Sequence, residues 1–448
     1  MLAHAGLAFS AAAGCVVAPM SSSAHMDESH ALEICRRCVA GRLPSQARPE
    51  DDLDLLQTGA LDSMGWVDVL ISVESATGLR DFGSDWPENR PKSIRALAEA
   101  ILAAHRGRTE HHAAGSFATR AEDGPEIKIR GWGYVLGSVT VGAEQIEQQL
   151  HLAPHKIRDG AGIHSLRFAD ASEDELILGQ KAAETALDTA GVDVERVDFL
   201  LTTSTTFLRL PSFAAALHSR LLLQESCGAF DIGGACAGLI YSLAVAKSLL
   251  RTAPQGVALL VASEVHSRRL KHPGVPGEFR GLFGDGACAF VLASAAATDQ
   301  EHSLRLGDFV WGCSGHFASA LTVNIDENSS MALQFKGEPL AHAAVLQTDR
   351  ILEMLEKGSG RTRAEADYLA LHQPNPRVVQ MLAEKARVPL EKIPLISRTC
   401  GNLGSATCGV SLCQALTGLC ARQDPSRAPL IFMAAVAPGL IWGGTFLD

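Results

Sequence analysis

The sequence predicts an α/β layered domain preceded by a short all-α unit, and three observations lead there. From Ile127 to Asp448, apolar runs rich in β-branched residues alternate with apolar patterns of helical period, the order that builds layered sheets. From about Asp27 to His105 the apolar residues recur only at helical spacing. Between the two, "RGRTEHHAAGSFATRAEDGPE" has no period and mixes Gly, Ala, Thr and charge, the mark of a linker in which His111 and His112 are solvated.

The domain plan that follows is a disordered N-terminal extension over 1–26, a helical unit over 27–106, a flexible linker over 107–126 and the α/β domain over 127–448, with halves of about 127–300 and 301–448. The extension "MLAHAGLAFSAAAGCVVAPMSSSAH" is apolar but lacks the basic start of an export signal. Helices are expected near Glu28–Ala40, from Ser63 to about Thr77 and at Ser93–Ala104. In the second domain "VDFLLTTST", "VALLVAS", "ACAFVLAS", "DYLALHQ" and "APLIFMAAVA" read as strands buried on both faces. "DELILGQKAAETALDTAG", "CAGLIYSLAVAKSLL" and "RVVQMLAEKARV" read as helices.

Composition narrows the function. The chain has 448 residues, is 47% hydrophobic and 20% charged, and carries a net charge of -11, which suits a globular protein with a sizeable core. No basic stripe is present to neutralise phosphates, so nucleic acid is not an expected partner. No apolar run is long enough to be read as a membrane span. The 11 cysteines have no framework spacing and predict reduced thiols in a cytoplasmic protein. Cys35 and Cys38 in "ICRRC" have metal or redox spacing, yet no second pair follows at a zinc-like distance, and they read as core residues of an amphipathic helix; no metal is expected.

Four residues stand out for chemistry. In "GALDSMGWVDVLISVE", Ser63 lies where a helical pattern begins, either as an ordinary helix cap or as an exposed hydroxyl at a helix N-terminus. In "CGAFDIGGACAGLIYSLAVAKSLL" a short strand ends in Gly-Gly-Ala and Cys236 opens an apolar helix. There the helix N-terminus is expected to lower the thiol pKa, and the cysteine's own N–H points toward an oxyanion formed on it; a core cysteine is the plainer alternative. His372 in "DYLALHQPNPRVVQML" directly follows a strand, with Asn375 and Pro376 starting the next helix. Asn402 in "LISRTCGNLGSATCGVSL" is expected in a Gly-flanked turn between strand and helix. Open α/β folds place reactive groups at such strand ends.

The helical unit resembles an acyl carrier protein over its whole length, with "LDSMGWVDVLISVE" matching that family's signature serine and following helix. The resemblance implies that Ser63 carries a covalent 4'-phosphopantetheine arm, added by a phosphopantetheinyl transferase, at a helix N-terminus that favours the phosphodiester charge. Asp68 and Glu74 are sparse acid for that family's second helix.

Residues 127–448 resemble a 3-ketoacyl-acyl carrier protein synthase of type III in the thiolase fold, a duplicated αβαβα arrangement. "ACAG", "HQPN" and "GN-x-GSA" stand in the family's order, and "FGDGA" at Phe283–Ala287 matches its structural turn. This implies that Cys236 accepts the acyl group. His372 and Asn402 would then stabilise the enolate left by decarboxylation of a malonyl-type thioester, making a carbon–carbon bond in fatty-acid or polyketide biosynthesis. Implied partners are acyl and malonyl thioesters on a carrier protein or coenzyme A, and a second copy of the chain in a homodimer.

Two departures from that family are visible. Aligning its "TGI" turn on Gly162 and Ile163 leaves Lys156 and Gly160 where the nucleotide-clamping Trp and Arg stand, with Arg280 only near the place of a further one. Its Gly-rich C-terminal loop reads "APGLIWG" here, so Pro438, which has no N–H, replaces an oxyanion donor, with Gly439 beside it. Other readings are a cysteine-dependent acyltransferase acting on an alcohol or amine, and a non-catalytic partner subunit or docking scaffold. The scaffold would predict loss of the cysteine, and Cys236 is present.

Overall fold

The computed structural model describes residues 26–43, 49–79, 82, 91–106, 124–294, 303–325, 331–422 and 429–448. The expected N-terminal extension, apart from Met26, and the linker as far as residue 123 lie outside the described residues. The chain divides into two compact units, Met1–Ala113 with Ala341–Ala343, and Ala114–Leu340 with Ala344–Asp448.

The first unit is helical. Its helices are Glu28–Ala40, Ser63–Thr77 and Ile94–Arg106, the last running slightly beyond the expected end. Each start has a side-chain acceptor: Asp27 for the His30 N–H, Asp62 for Gly65 at 2.7 Å and Ser93 for Ala96 at 3.3 Å. Ile34 and Val39 pack with Trp66, Val69 and Val73 and with Leu97 and Ile101 in one core, each aliphatic side chain contributing about 1.5–3 kcal/mol by burial. Cys35 and Cys38 belong to that core, and burial pushes the Cys35 thiol up.

In the second unit a six-stranded sheet has the order Gly228–Asp231, Phe199–Thr203, Val257–Val265, Asp285–Ser294, Ile127–Leu136, Leu304–Arg305. A four-stranded sheet has the order Tyr368–Leu371, Ile431–Ala437, Ile441–Leu447, Val310–Cys313. Both are mixed: Phe199–Thr203 runs parallel to its two neighbours and Tyr368–Leu371 parallel to Ile431–Ala437, while the remaining pairs are antiparallel. Every residue of Val257–Val265, Asp285–Ser294 and Ile431–Ala437 is buried, as expected of strands covered on both faces.

The helices Gly238–Thr252 and Thr407–Arg422 lie between the sheets, contributing Leu239, Leu243, Val410 and Leu412 to a core shared with Leu260, Phe290, Ile431 and Met433. The helices Glu175–Ala190 and Phe213–Leu221 cover the outer face of the larger sheet through Ala182, Ala186 and Leu217. A Cβ on Gly133 would strike the Ala182 carbonyl and the Thr185 side chain, so only glycine lets the strand and that helix lie this close. Ile351 and Leu355, on the helix Gly337–Ser359, approach Gly444 of the smaller sheet. Helix, sheet, helix, sheet and helix thus alternate.

Candidate active site

Cys236 sits in a tight turn, Ala235–Ala237, between the strand Gly228–Asp231 and the helix that starts at Gly238. The backbone reverses sharply: Gly234 has φ 147° and Ala235 has φ 46°, the latter a left-handed conformation costing an alanine about 1–2 kcal/mol. The helix begins close against Thr203 at the end of the adjacent strand, since a Cβ on Gly238 would collide with the Thr203 hydroxyl.

The expected low thiol pKa is corrected. Cys236 is half-buried, and desolvation, with the Glu264 carboxylate adding to it, pushes its thiol up to about 12 against a weaker opposing effect of its own N–H. The cysteine stands in the short turn just ahead of the α-helix rather than in it, and desolvation, with the Glu264 charge second, sets the thiol's state. At rest the group is a thiol, so its proton must leave during attack on a thioester.

His372 directly follows the strand Tyr368–Leu371, as expected, and its N–H donates to the Ala434 carbonyl at 2.9 Å. The side chain is buried, its Nδ1 has no hydrogen-bond partner, and burial pushes the imidazole down to about 4. It is therefore neutral near pH 7, with a buried ring nitrogen left for a ligand atom to complete.

Asn402 is buried in a turn, but no strand precedes it. The short helix Ser397–Cys400 and Gly401, at φ 76°, lead in, and the turn Gly404–Ala406 leads out. Its N–H donates to Leu282 O at 2.8 Å, and its carbonyl accepts the Gly284 N–H at 3.0 Å, so the "FGDGA" segment holds it in place. Asn402 Oδ1 accepts the Gly404 N–H at 2.9 Å and lies 3.1 Å from the Thr407 hydroxyl. With its oxygen turned into its own loop, the side-chain NH2 remains to donate outward.

These segments meet. The Cys236 turn packs against both the Gly404–Ala406 turn and the strand Ile431–Ala437, the strand whose Ala434 holds His372. Gln373 links the other two: its Oε1 accepts the Ser397 N–H and hydroxyl, each at 3.1 Å, on the helix leading to Asn402.

Three positioning groups were missed in the sequence: Gln373, Thr407 and Glu264. Only Glu264 had a local signal, a lone acid inside the apolar strand "VALLVASEV". It is fully buried and accepts from the Thr205 N–H and hydroxyl, the Thr206 N–H and the Ser405 hydroxyl at 3.0, 2.9, 3.1 and 2.6 Å.

Both departures persist in the structure. Lys156 is exposed and lies 4.0 Å from Glu278, while the loop around it hangs on Glu147, which accepts the Ile157 N–H at 2.7 Å; neither Lys156 nor Gly160 offers an aromatic ring or guanidinium. Pro438 opens the turn Pro438–Leu440 after the strand Ile431–Ala437, with Gly439 at φ 131°.

Among the described residues no group of metal-ligating side chains occurs, all ten described cysteines are free, and no helix is long and apolar enough to cross a membrane. A layered α/β fold that brings the Cys236, His372 and Asn402 segments together is the arrangement of thiolase-fold enzymes. Residues 230–315 match the family model of 3-oxoacyl-[acyl-carrier-protein] synthase III, and residues 357–448 match that of its C-terminal part. The beta-ketoacyl-[acyl-carrier-protein] synthase III of Cereibacter sphaeroides is 30% identical over 325 residues, covering 71% of this chain and 98% of the relative. That of Ruegeria pomeroyi is 29% identical over 324 residues, with the same coverage. The crystal structure of 3-oxoacyl-[acyl-carrier-protein] synthase III from Aquifex aeolicus superposes with a TM-score of 0.62 at 27% identity, over 72% of this chain and 99% of that one. The Xanthomonas campestris OleA fold agrees at a TM-score of 0.64 and 19% identity, over 72% and 97% of the two chains. The chain belongs to the beta-ketoacyl-[acyl-carrier-protein] synthase III family, whose members are acyltransferases. Both family models lie C-terminal to the helical unit.

Proposed function

We propose that the chain is a condensing enzyme that carries its own acyl carrier domain, and that Cys236, His372 and Asn402 perform the chemistry. In the first half-reaction the Cys236 sulfur attacks an acyl thioester; the new S–C bond forms, the old one breaks, and the cysteine proton goes to the departing thiol. In the second, a malonyl-type thioester loses carbon dioxide, and the electron pair of the broken C–C bond passes into an enolate. His372 and the Asn402 NH2 donate to the enolate oxygen. The enolate carbon attacks the acyl carbon, and the Cys236 sulfur leaves with its pair and regains a proton from solvent, releasing a 3-ketoacyl thioester.

The observation that carries this reading is the pairing of an orphaned, neutral His372 with an Asn402 whose oxygen is tied back. Simple acyl transfer has no use for two enolate donors. Pro438 favours a second reading, transfer to an alcohol or amine, because it lacks the N–H of a second oxyanion donor. Offering the protein acyl and malonyl pantetheine thioesters distinguishes them. Condensation gives an acylated Cys236 peptide, carbon dioxide and a 3-ketoacyl product; an acylated Cys236 that releases no carbon dioxide supports the second reading.

The carrier proposal rests on Ser63. Asp62, not Ser63, caps the helix, accepting the Gly65 N–H, so the serine is the first helical residue, exposed and free of a capping role. That fits attachment of 4'-phosphopantetheine by a phosphopantetheinyl transferase, with the helix N-terminus favouring the phosphodiester. The arm supplies a tethered thiol that carries acyl or malonyl groups as thioesters. We further propose a homodimer, to be tested by the mass of the chain in solution, and leave fatty-acid or polyketide products to the thioester panel.

A further inference from the structure

Glu264 is the acid of the site that the chemistry above does not use. It lies on the fully buried strand Val257–Val265, with 0% of its surface exposed. Every hydrogen-bonding neighbour of its carboxylate is a donor. Oε2 accepts the Thr205 N–H at 3.0 Å, the Thr205 hydroxyl at 2.9 Å and the Thr206 N–H at 3.1 Å, with the Ser204 hydroxyl at 3.5 Å. Oε1 accepts the Ser405 hydroxyl at 2.6 Å and the Ser405 N–H at 3.3 Å. One carboxylate thus joins two loops far apart in sequence: Ser204–Thr206, which follows the strand ending at Thr203, and the turn that follows Asn402.

The contact is close on all sides. Gly404, at φ 57°, lies under the carboxylate and beside the His266 ring: a Cβ there would come 3.1 Å from Glu264 Oε1 and 2.7 Å from His266 Cε1. His266 is held in turn, its Nδ1 3.2 Å from Gly284 O and its ring against Phe283, tilted by 37° with centroids 4.7 Å apart. The Asn402 loop is therefore gripped from one side by the Leu282–Gly284 backbone and from the other by Glu264.

Building on the condensing reading, we propose that Glu264 is a positioning residue for the decarboxylation step: it locks the Asn402 loop to the Ser204–Thr206 loop so that the Asn402 NH2 meets the extender thioester. The same negative charge acts on Cys236 and helps hold its thiol protonated. His372 is neutral at working pH and adds no charge of its own, and His266, the titratable ring beside Glu264, is common to all the variants compared. The carboxylate therefore has opposite effects on the two half-reactions, favouring decarboxylation while restraining ionisation of the nucleophile. A residue that merely filled space would not separate them.

The test uses the full chain, acyl-pantetheine to load Cys236 and malonyl-pantetheine as extender, reading carbon dioxide release alongside the pH profile of Cys236 alkylation by iodoacetamide. A wild type that releases no carbon dioxide removes the condensing reading, and this inference with it. Given an active wild type, Ser405→Ala removes the shorter of the loop's two bonds to Glu264, leaving the longer N–H bond, without changing any charge. It is expected to lower kcat for decarboxylation about tenfold, equivalent to about 1.4 kcal/mol, with KM and the alkylation profile unchanged, because one buried hydrogen bond to the carboxylate is lost. Glu264→Gln is expected to slow decarboxylation at least as much while making alkylation severalfold faster at pH 8. Unimpaired decarboxylation in Ser405→Ala, or equal slowing of both readouts in Glu264→Gln, overturns the proposal. If Glu264→Gln does not fold, Ser405→Ala decides alone.

Discussion

Thr407 holds Asn402 by its oxygen: the threonine hydroxyl lies 3.1 Å from Asn402 Oδ1 and 3.0 Å from Gly404 O, and itself accepts the Leu403 N–H at 2.9 Å. Both acceptors can only receive, so the hydroxyl proton is shared across the loop and the asparagine is kept from flipping. Thr407→Val keeps the shape but strands the buried Leu403 N–H and leaves the asparagine oxygen held by the Gly404 N–H alone. Carbon dioxide release from malonyl-pantetheine is expected to fall about tenfold or more, at about 1–3 kcal/mol for an unsatisfied buried group. Thr407→Ser should restore it, and acylation of Cys236, measured by mass, should be unaffected in both.

The His372 imidazole, at about 4, lies below the ordinary histidine value. Its folded-state pKa is thus lower than its unfolded one, near 6.5. As pH falls below that value the unfolded chain gains a proton that the folded site resists, so stability is lost, by at most about 3 kcal/mol by pH 4. Urea midpoints measured from pH 7 to 4.5 should drop more steeply in the wild type than in His372→Gln. Decarboxylation, in contrast, should stay level from pH 8 down to about 5 wherever the fold holds, since the donor is already neutral.

For Cys236 the thiol at about 12 predicts slow alkylation at neutral pH. The rate should climb about tenfold per pH unit from 7 to 9.5 with no plateau, because each unit multiplies the thiolate fraction tenfold. A plateau near pH 7 would show an ionised resting cysteine. Cys236→Ser should keep the fold, by circular dichroism, and lose nearly all turnover.

Pro438→Gly restores an amide at the turn after Ile431–Ala437. Losing one oxyanion donor costs about a hundredfold to a thousandfold, so the variant is expected to acylate Cys236 faster, up to about that factor. An unchanged rate in rapid-quench mass spectrometry means that another group, such as the Gly439 N–H, already serves.

Incubation with a phosphopantetheinyl transferase and coenzyme A is expected to add one arm, lost in Ser63→Ala, by intact mass. The carrier, joined through 107–126, would then feed the synthase at an effective concentration of up to ~1 mM. Cutting the chain within that segment should slow acyl transfer at micromolar protein. Equal rates for the cut and intact chains would remove the fusion's delivery role.

Local chemistry made much of this protein legible. The periods of the apolar residues marked the helices Glu28–Ala40 and Ser63–Thr77 to their ends, and strands such as Val257–Val265 and Ile431–Ala437, because caps, helical spacing and β-branched runs act within a few residues. The same local flanks singled out Cys236, His372 and Asn402 as candidates, and their proposed roles came from the family resemblance. Tertiary structure decided what those residues are. Whether Cys236 rests as thiol or thiolate depends on burial and on Glu264, 28 positions away. Which way Asn402 faces depends on Gly404 and Thr407 turning back upon it, and on the Leu282–Gly284 backbone. The sequence also could not say that Asp62 rather than Ser63 caps its helix, since both residue types cap equally well and only the folded backbone chooses. Desolvation and hydrogen-bond orientation belong to the assembled site, because they arise from groups that the chain brings together only by folding.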